Sequence, residues 1–142
     1  MDFRLTGLVA AAFTPLRAVG VGASTGLAPS TLTNATADFP APSAATGALG
    51  LIGLELNPNT AQGQTFTILD NTPTDLFTDA ADGDMTLVAS PGDQSIGVYT
   101  FDNLSVTGAA EVETADQCVV IGTLDTSGGS LSCAPFPIVP VP

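Results

Sequence analysis

The sequence contains no lysine, histidine or tryptophan, and its 2 basic residues are Arg4 and Arg17. Without lysine, neither Schiff-base catalysis nor a phosphate-binding P-loop is available. Without histidine, the catalytic triads and zinc sites that depend on an imidazole are excluded. No motif for another nucleophile stands out, so we expect no enzymatic centre and no catalytic residue.

Positive charge is scarce, because 14 acidic residues stand against 2 basic ones and give a net charge of −12. Nucleic-acid binding relies on clustered Lys and Arg against phosphates, so we expect no nucleic-acid partner. The sequence also has no run that approaches the about 20 apolar residues of a transmembrane helix. A membrane span is therefore not expected either.

What remains is a chain of 142 residues with 15 glycines and 11 prolines, a length typical of one domain. The composition and the hydrophobic pattern of the chain change near residue 48. Residues 1–48 are a low-complexity run of Ala, Thr, Ser, Gly and Pro without a sustained period, which predicts an extended N-terminal arm with little regular structure over residues 20–48. Residues 137–142 form a proline-rich C-terminal tail, which we expect to run as polyproline-like chain or as an edge segment.

Residues 49–136 carry short apolar runs separated by turn residues at a spacing of about 8–12 positions. Such spacing predicts an all-β domain, a single β-sandwich or jelly-roll-like fold of about seven or eight short antiparallel strands. Phe66 and Ile68 alternate with polar residues on one of these strands, and residues 85–90 form another. One short helix is expected over residues 73–81, with Thr72 as its N-cap and Pro73 at its first position.

Cys118 and Cys133 are the only cysteines, and they flank a glycine-rich turn. A disulfide across neighbouring strands would contribute about 3 kcal/mol in the chain-entropy model, and it would imply an oxidising location. Two reduced, buried cysteines are the alternative.

The densest acidic group includes Asp79, Asp82 and Asp84, which offer carboxylates around a tight turn. Calcium binds such oxygens, so these three residues are the candidate metal ligands, although the EF-hand pattern is absent. The alternative is that they cap a helix and border a solvated turn. Apart from calcium, no cofactor is expected. Asn34 and Asn103 begin two glycosylation sequons.

The arms contain few apolar residues that are dense enough to dock on another surface. We expect inter-subunit contacts from these, namely Leu5, Leu8, Val9, Phe13, Phe136, Ile138 and Val139. Ordering each backbone residue costs roughly 1–2 kcal/mol, and arms built of small residues bury little apolar area in return. We therefore expect neighbouring copies to supply the contacts that order them.

These features favour a non-enzymatic structural subunit of a large extracellular assembly. The expected form is a virion capsid decoration (cement) protein or a small capsid protein, located on the virion surface and bound to copies of itself or to a major capsid protein. A pilus-like filament subunit is the first alternative, with Leu5, Gly7, Val9, Ala11 and Phe13 inserted as a donor strand into the next copy. A secreted carbohydrate- or calcium-binding β-module is the second.

Overall fold

The structure, a computed structural model, describes residues 4–10, 13–15, 18–106, 111–127, 129–132 and 139–140. It confirms the all-β class. Within these ranges there are two short 3₁₀ helices, Ala80–Asp82 and Met85–Leu87. The strands in the same ranges are β1 (Arg4–Ala10), β2 (Phe13–Pro15), β3 (Gly22–Ala23), β4 (Gly26–Ala28), β5 (Thr31–Thr33), β6 (Glu55–Asn57), β7 (Phe66–Asn71), β8 (Asp75–Thr78), β9 (Gln94–Val106), β10 (Glu111–Glu113), β11 (Gln117–Val120), β12 (Leu124–Asp125), β13 (Ser130–Ser132) and β14 (Val139–Pro140).

Eleven of these strands form one sheet that curls as a half-barrel, along the path β14-β11-β9-β6-β7-β8-β5-β4. Strands β1, β3 and β12 join the same sheet through β9, and β13, β10 and β2 form a separate three-stranded sheet. The strands are therefore more numerous than the seven or eight expected, and β9, with 13 residues, is longer than the short strands expected. Their pairing is also mixed rather than wholly antiparallel, because β1, β11 and β12 run parallel to β9.

The long strand β9 organises the fold. Its residues from Ser95 to Tyr99 are all buried, so both faces of this half are covered. Further along, Phe101, Leu104 and Val106 are buried while Asn103 is exposed. A strand that is buried on both faces in one half requires an almost continuous apolar run rather than simple alternation.

The core beneath this sheet is made of large apolar side chains that are almost fully buried. The rings of Tyr99 and Phe101 stack with their centroids 5.9 Å apart, in the offset range that aromatic pairs favour. Phe66 and Ile68 are fully buried, as their alternation predicts. The other members of the cluster include Leu32, Leu51, Leu54, Leu56, Leu76, Met85, Leu104, Val106, Cys118 and Val120.

Residues 20–48 contain more regular structure than their composition predicts. Strands β3, β4 and β5 all lie in this segment, and β5 pairs antiparallel with β8. Leu32 on β5 is 1% exposed and belongs to the core. The expectation of an arm with little regular structure is therefore wrong for residues 22–33. The burial of Leu32 and the backbone pairing of β3, β4 and β5 order this segment, although its composition contains few large apolar side chains.

The helix expected over residues 73–81 is also wrong. Thr72 does accept hydrogen bonds through Oγ1 from the N–H of Asp75 at 3.0 Å and of Thr74 at 3.3 Å, as an N-cap would. The chain then enters β8 instead of a helix, because Leu76 and Phe77 pair across to β5 and β7. Residues 85–90, expected as a strand, begin with the second 3₁₀ helix.

Among the described residues, no helix has the length and apolar character that a membrane crossing needs. Both helices in those ranges are only three residues long.

Candidate functional site

The residues expected to make inter-subunit contacts fall at the two ends of the chain. Phe136 and Ile138 lie outside the described residues. The others lie on short strands at the margins of the two sheets: Leu5, Leu8 and Val9 on β1, Phe13 on β2, and Val139 on β14. The structure therefore shows where the backbone of these five residues pairs within one copy.

Strand β1 pairs with β9 along the part of that strand that follows its pairing with β6. β6 pairs antiparallel with β9 from Ile96 to Val98, and β1 pairs parallel with it from Thr100 to Val106. On the opposite side, β11 pairs from Val98 to Phe101, and β12 follows it. Val98 pairs with both β11 and β6, and Thr100 and Phe101 pair with both β11 and β1. Because a strand residue can pair with only one strand on each side, β6 and β1 both lie on the side of β9 that faces away from β11. Without β1, that side of β9 beyond Val98 would be an open edge.

The C-terminal tail makes a smaller contact of the same kind. Val139 and Pro140 of β14 pair parallel with Val119 and Val120 of β11, at one end of the sheet path. An edge position is where a proline-rich strand is tolerated, because proline cannot donate to a ladder. The expectation of an edge segment is thus met at residues 139–140.

Asp116 fixes the segment through which β1 and β2 connect to the core. Its side chain is 0% exposed, and its carboxylate accepts hydrogen bonds from the N–H of Val19 through Oδ2 at 2.9 Å and from the N–H of Gly20 through Oδ1 at 2.6 Å. The backbone N–H of Gly97 on β9 also favours the charged form of this carboxylate. Gly20 has a φ of 82°, a conformation that glycine adopts without strain. We call this arrangement the Asp116 anchor.

Burial raises the pKa of Asp116 from 3.8 to about 6, against the opposing effect of the backbone N–H donors. In the unfolded chain the same group titrates near its ordinary value. Between these two pH values the folded state binds more protons than the unfolded state, so its stability falls as the pH rises. At about 1.4 kcal/mol per pKa unit, the loss is on the order of 3 kcal/mol.

The pH dependence of this anchor can be isolated with Asp116→Asn. We expect the free energy of unfolding of the natural chain, minus that of the variant, to fall as the pH rises from about 4 to about 6 and to level off above. The comparison removes the contribution of other carboxyls, such as Asp75, whose pKa is lowered by its hydrogen bond from Thr33. Urea unfolding at a series of pH values measures it. A difference that is flat or rising over this range would show that burial does not raise the pKa of Asp116 in the folded chain.

Of the two cysteines, Cys118 lies fully buried on β11, where it pairs with Tyr99 of β9. Cys133 lies outside the described residues, so the Cys118–Cys133 disulfide stays a prediction. Mass spectrometry without reductant should show a mass about 2 Da below that of the reduced chain, from the loss of two thiol hydrogens. Two thiols that react with an alkylating reagent after unfolding would contradict it.

The three aspartates proposed as calcium ligands each bond to a different part of the backbone. Asp79 caps the first 3₁₀ helix by accepting from the N–H of Ala81 at 2.9 Å. Asp84 caps the second through Thr86, and Asp82 accepts from the N–H of Thr67 at 2.7 Å. No group of three or more metal-ligating side chains occurs among the described residues. Helix capping, the alternative interpretation, accounts for Asp79 and Asp84.

The two sequons differ in exposure. Asn34 is only 8% exposed, whereas Asn103 is exposed on β9, where its Oδ1 accepts from the N–H of Thr123 at 2.9 Å.

Sequence reasoning missed the Asp116 anchor altogether. No local pattern marks Asp116, because its partners lie 96 and 97 positions away in the chain.

Comparisons with protein-family models, with curated proteins and with solved structures find no match to this chain.

Proposed function

We propose that this protein is a non-enzymatic structural subunit of an extracellular assembly, joined to neighbouring copies through its N-terminal strand. The observation that carries the proposal is the position of β1 on β9. β1 occupies an edge that would otherwise be open from Thr100 to Val106. An open strand edge is a template for a strand of another chain, and the same pairing serves equally well within or between copies.

The Asp116 anchor defines the piece that would be exchanged. Val19 and Gly20 are held on the core, while β1 and β2 both precede them in the chain. The nine residue-to-residue steps from Ala10 to Val19 span up to about 30 Å when extended, enough to reach an adjacent subunit. Residues 1–15 are thus the proposed joining segment.

Charge supports a location on the outside of a particle. A chain with a net charge of −12 repels a phosphate-rich genome, so the outer face of a virion suits it better than the inner one. The first form of the proposal is therefore a capsid decoration or small capsid protein, with a major capsid protein as the second partner.

A filament subunit is the second form, and it requires strand exchange in one direction. When each copy donates β1 to the next, the contact is head-to-tail, and such contacts build rings or open filaments. Reciprocal exchange between two copies would instead give a closed dimer. Absence of lysine and histidine supports a non-enzymatic role in either form.

Negative-stain electron microscopy of the purified full chain, beside sedimentation velocity, tests the proposal. We expect species larger than one copy, with filaments or rings separating the second form from the first. The first form additionally requires the protein to bind a capsid shell. A chain that sediments as a monomer at every concentration and binds no shell would refute both.

A further inference from the structure

A cavity lies beside residues 18–23, and none of its described lining residues belongs to β1 or β2. It has a volume of about 420 Å³ and lies between residues 18–23, the turn at residues 34–40, and Ser95 at the start of β9. This volume falls within the about 300–1,000 Å³ typical of small-molecule sites. Its wall combines the apolar side chains of Val19 and Phe39 with the polar groups of Asn34 and Asp38.

Asn34 presents an unused donor to this cavity. The residue is 8% exposed, and its Oδ1 accepts hydrogen bonds from the N–H and Oγ1 of Thr36 at 3.2 and 2.9 Å. Because a backbone N–H points at that atom, it must be the oxygen, which places Nδ2 on the other side. Nδ2 makes no hydrogen bond with any described residue. The residue as a whole is buried, but Nδ2 is not among the described side-chain atoms that are both fully buried and without a hydrogen-bond partner, so a ligand or a water molecule can reach it.

Gly22 makes room for this amide. A Cβ built on Gly22 would lie 2.9 Å from Asn34 Nδ2, closer than real side chains approach. Glycine at this position therefore leaves the Nδ2 group accessible in the cavity wall. Ser95, also in the lining, donates its hydroxyl hydrogen to the carbonyl oxygen of Gly22 at 3.3 Å, so this donor is already used.

We propose that this cavity binds a neutral, hydroxyl-rich small molecule of the carbohydrate class. The ligand must offer an acceptor to Asn34 Nδ2 and a donor to the exposed carboxylate of Asp38, and a hydroxyl group provides both. Phe39, which is half-buried and also packs against the core, adds apolar surface to the cavity wall for the C–H groups of a sugar ring. Among the described lining residues there is no Lys, Arg or His, and the net charge of −12 opposes anionic ligands.

The test uses the full chain produced in bacteria, so that the sequon at Asn34 carries no glycan. Glucose, galactose, mannose and N-acetylglucosamine are titrated separately, with methylammonium as a cationic probe, while NMR follows the side-chain amide of Asn34. We expect saturable shifts of this amide with at least one sugar. Saturation by no sugar, or by methylammonium alone, would overturn the proposal.

Two pairs of variants locate the binding. Asn34→Asp keeps an acceptor for Thr36 but removes the donor, and we expect at least a tenfold loss of affinity, which is followed by the backbone amides of residues 18–23 because this variant has no side-chain amide. Ala35→Asp adds the same charge at an exposed neighbour outside the lining and should bind normally. Gly22→Ala should also weaken binding, whereas Gly26→Ala, whose Cβ would lie 3.7 Å from Thr33, should not.

Backbone amide spectra of each variant verify its fold. If Asn34→Asp does not fold, the affinities of Gly22→Ala and Gly26→Ala alone test whether the sugar binds in this cavity. Equal affinity in the natural chain and in the folded Asn34 or Gly22 variant would place the sugar elsewhere and overturn the proposal.

Discussion

A chain that lacks residues 1–15 is expected to remain folded and to sediment as a monomer under conditions in which the full chain assembles. The deletion removes β1 and β2 but keeps Val19 and Gly20 on the Asp116 anchor. The apolar side chains described as buried run from Leu32 to Val120, and the deletion removes none of them. Circular dichroism beside sedimentation velocity measures the two properties together.

The control for this deletion is a chain that lacks only residues 1–3 and so retains both strands. It should assemble as the full chain does. A synthetic peptide of residues 1–15 should bind the deleted chain at the open edge of β9, while a scrambled peptide of the same composition should not. Unfolding of the deleted chain would show that the segment belongs to its own domain. Unchanged assembly would show that copies join elsewhere.

Gly97→Ala should cause the largest loss of stability among single substitutions at the Asp116 anchor. A Cβ built on Gly97 would overlap the carboxylate of Asp116, whose side chain is 0% exposed. Overpacking costs typically 1–3 kcal/mol, and displacing a buried charge from its hydrogen bonds adds to it. We expect a loss of about 3 kcal/mol or more in the free energy of unfolding, measured by urea denaturation.

Gly63→Ala is the matched control, because a Cβ there has no neighbour within 4 Å. Its effect should stay within about 0.5 kcal/mol. If the Gly97 and Gly63 variants are equally stable, Asp116 does not occupy the position that the anchor requires. If Gly97→Ala also raises the fraction of exchanged copies, the anchor limits how readily residues 1–15 leave the core.

Local patterns predict the all-β class and parts of the core, because alternation and turn residues are short-range signals. Phe66 and Ile68 are buried as their alternation predicts, and Asp79 and Asp84 cap 3₁₀ helices as acidic residues before a turn commonly do. The failed helix shows the limit of such patterns. Thr72 caps the N–H of Asp75 in either conformation, and only pairing with β5 and β7 selects a strand.

Features that depend on distant pairing had no signal in the sequence. Leu32 is the single bulky residue of β5, and its burial follows from β8 lying beside it. In the sequence, Asn34 is recognised only as the first residue of a sequon. The cavity beside it forms when residues 18–23 fold back on β9. Asp116 resembles other scattered acidic residues until its backbone partners are known.

Exchange of β1 between copies is tested most directly by a disulfide across its contact with β9. Val9 and Ser105 are partners in the parallel ladder, and the Cα atoms of such partners lie within the about 4.4–6.8 Å that a disulfide spans. Val9→Cys and Ser105→Cys are placed in separate chains, mixed, assembled and oxidised, and peptide mapping identifies the linked positions. A chain carrying both substitutions reports the pairing within one copy. Strand exchange predicts a link between positions 9 and 105 of different copies in the mixture; a link found only in the doubly substituted chain would contradict it.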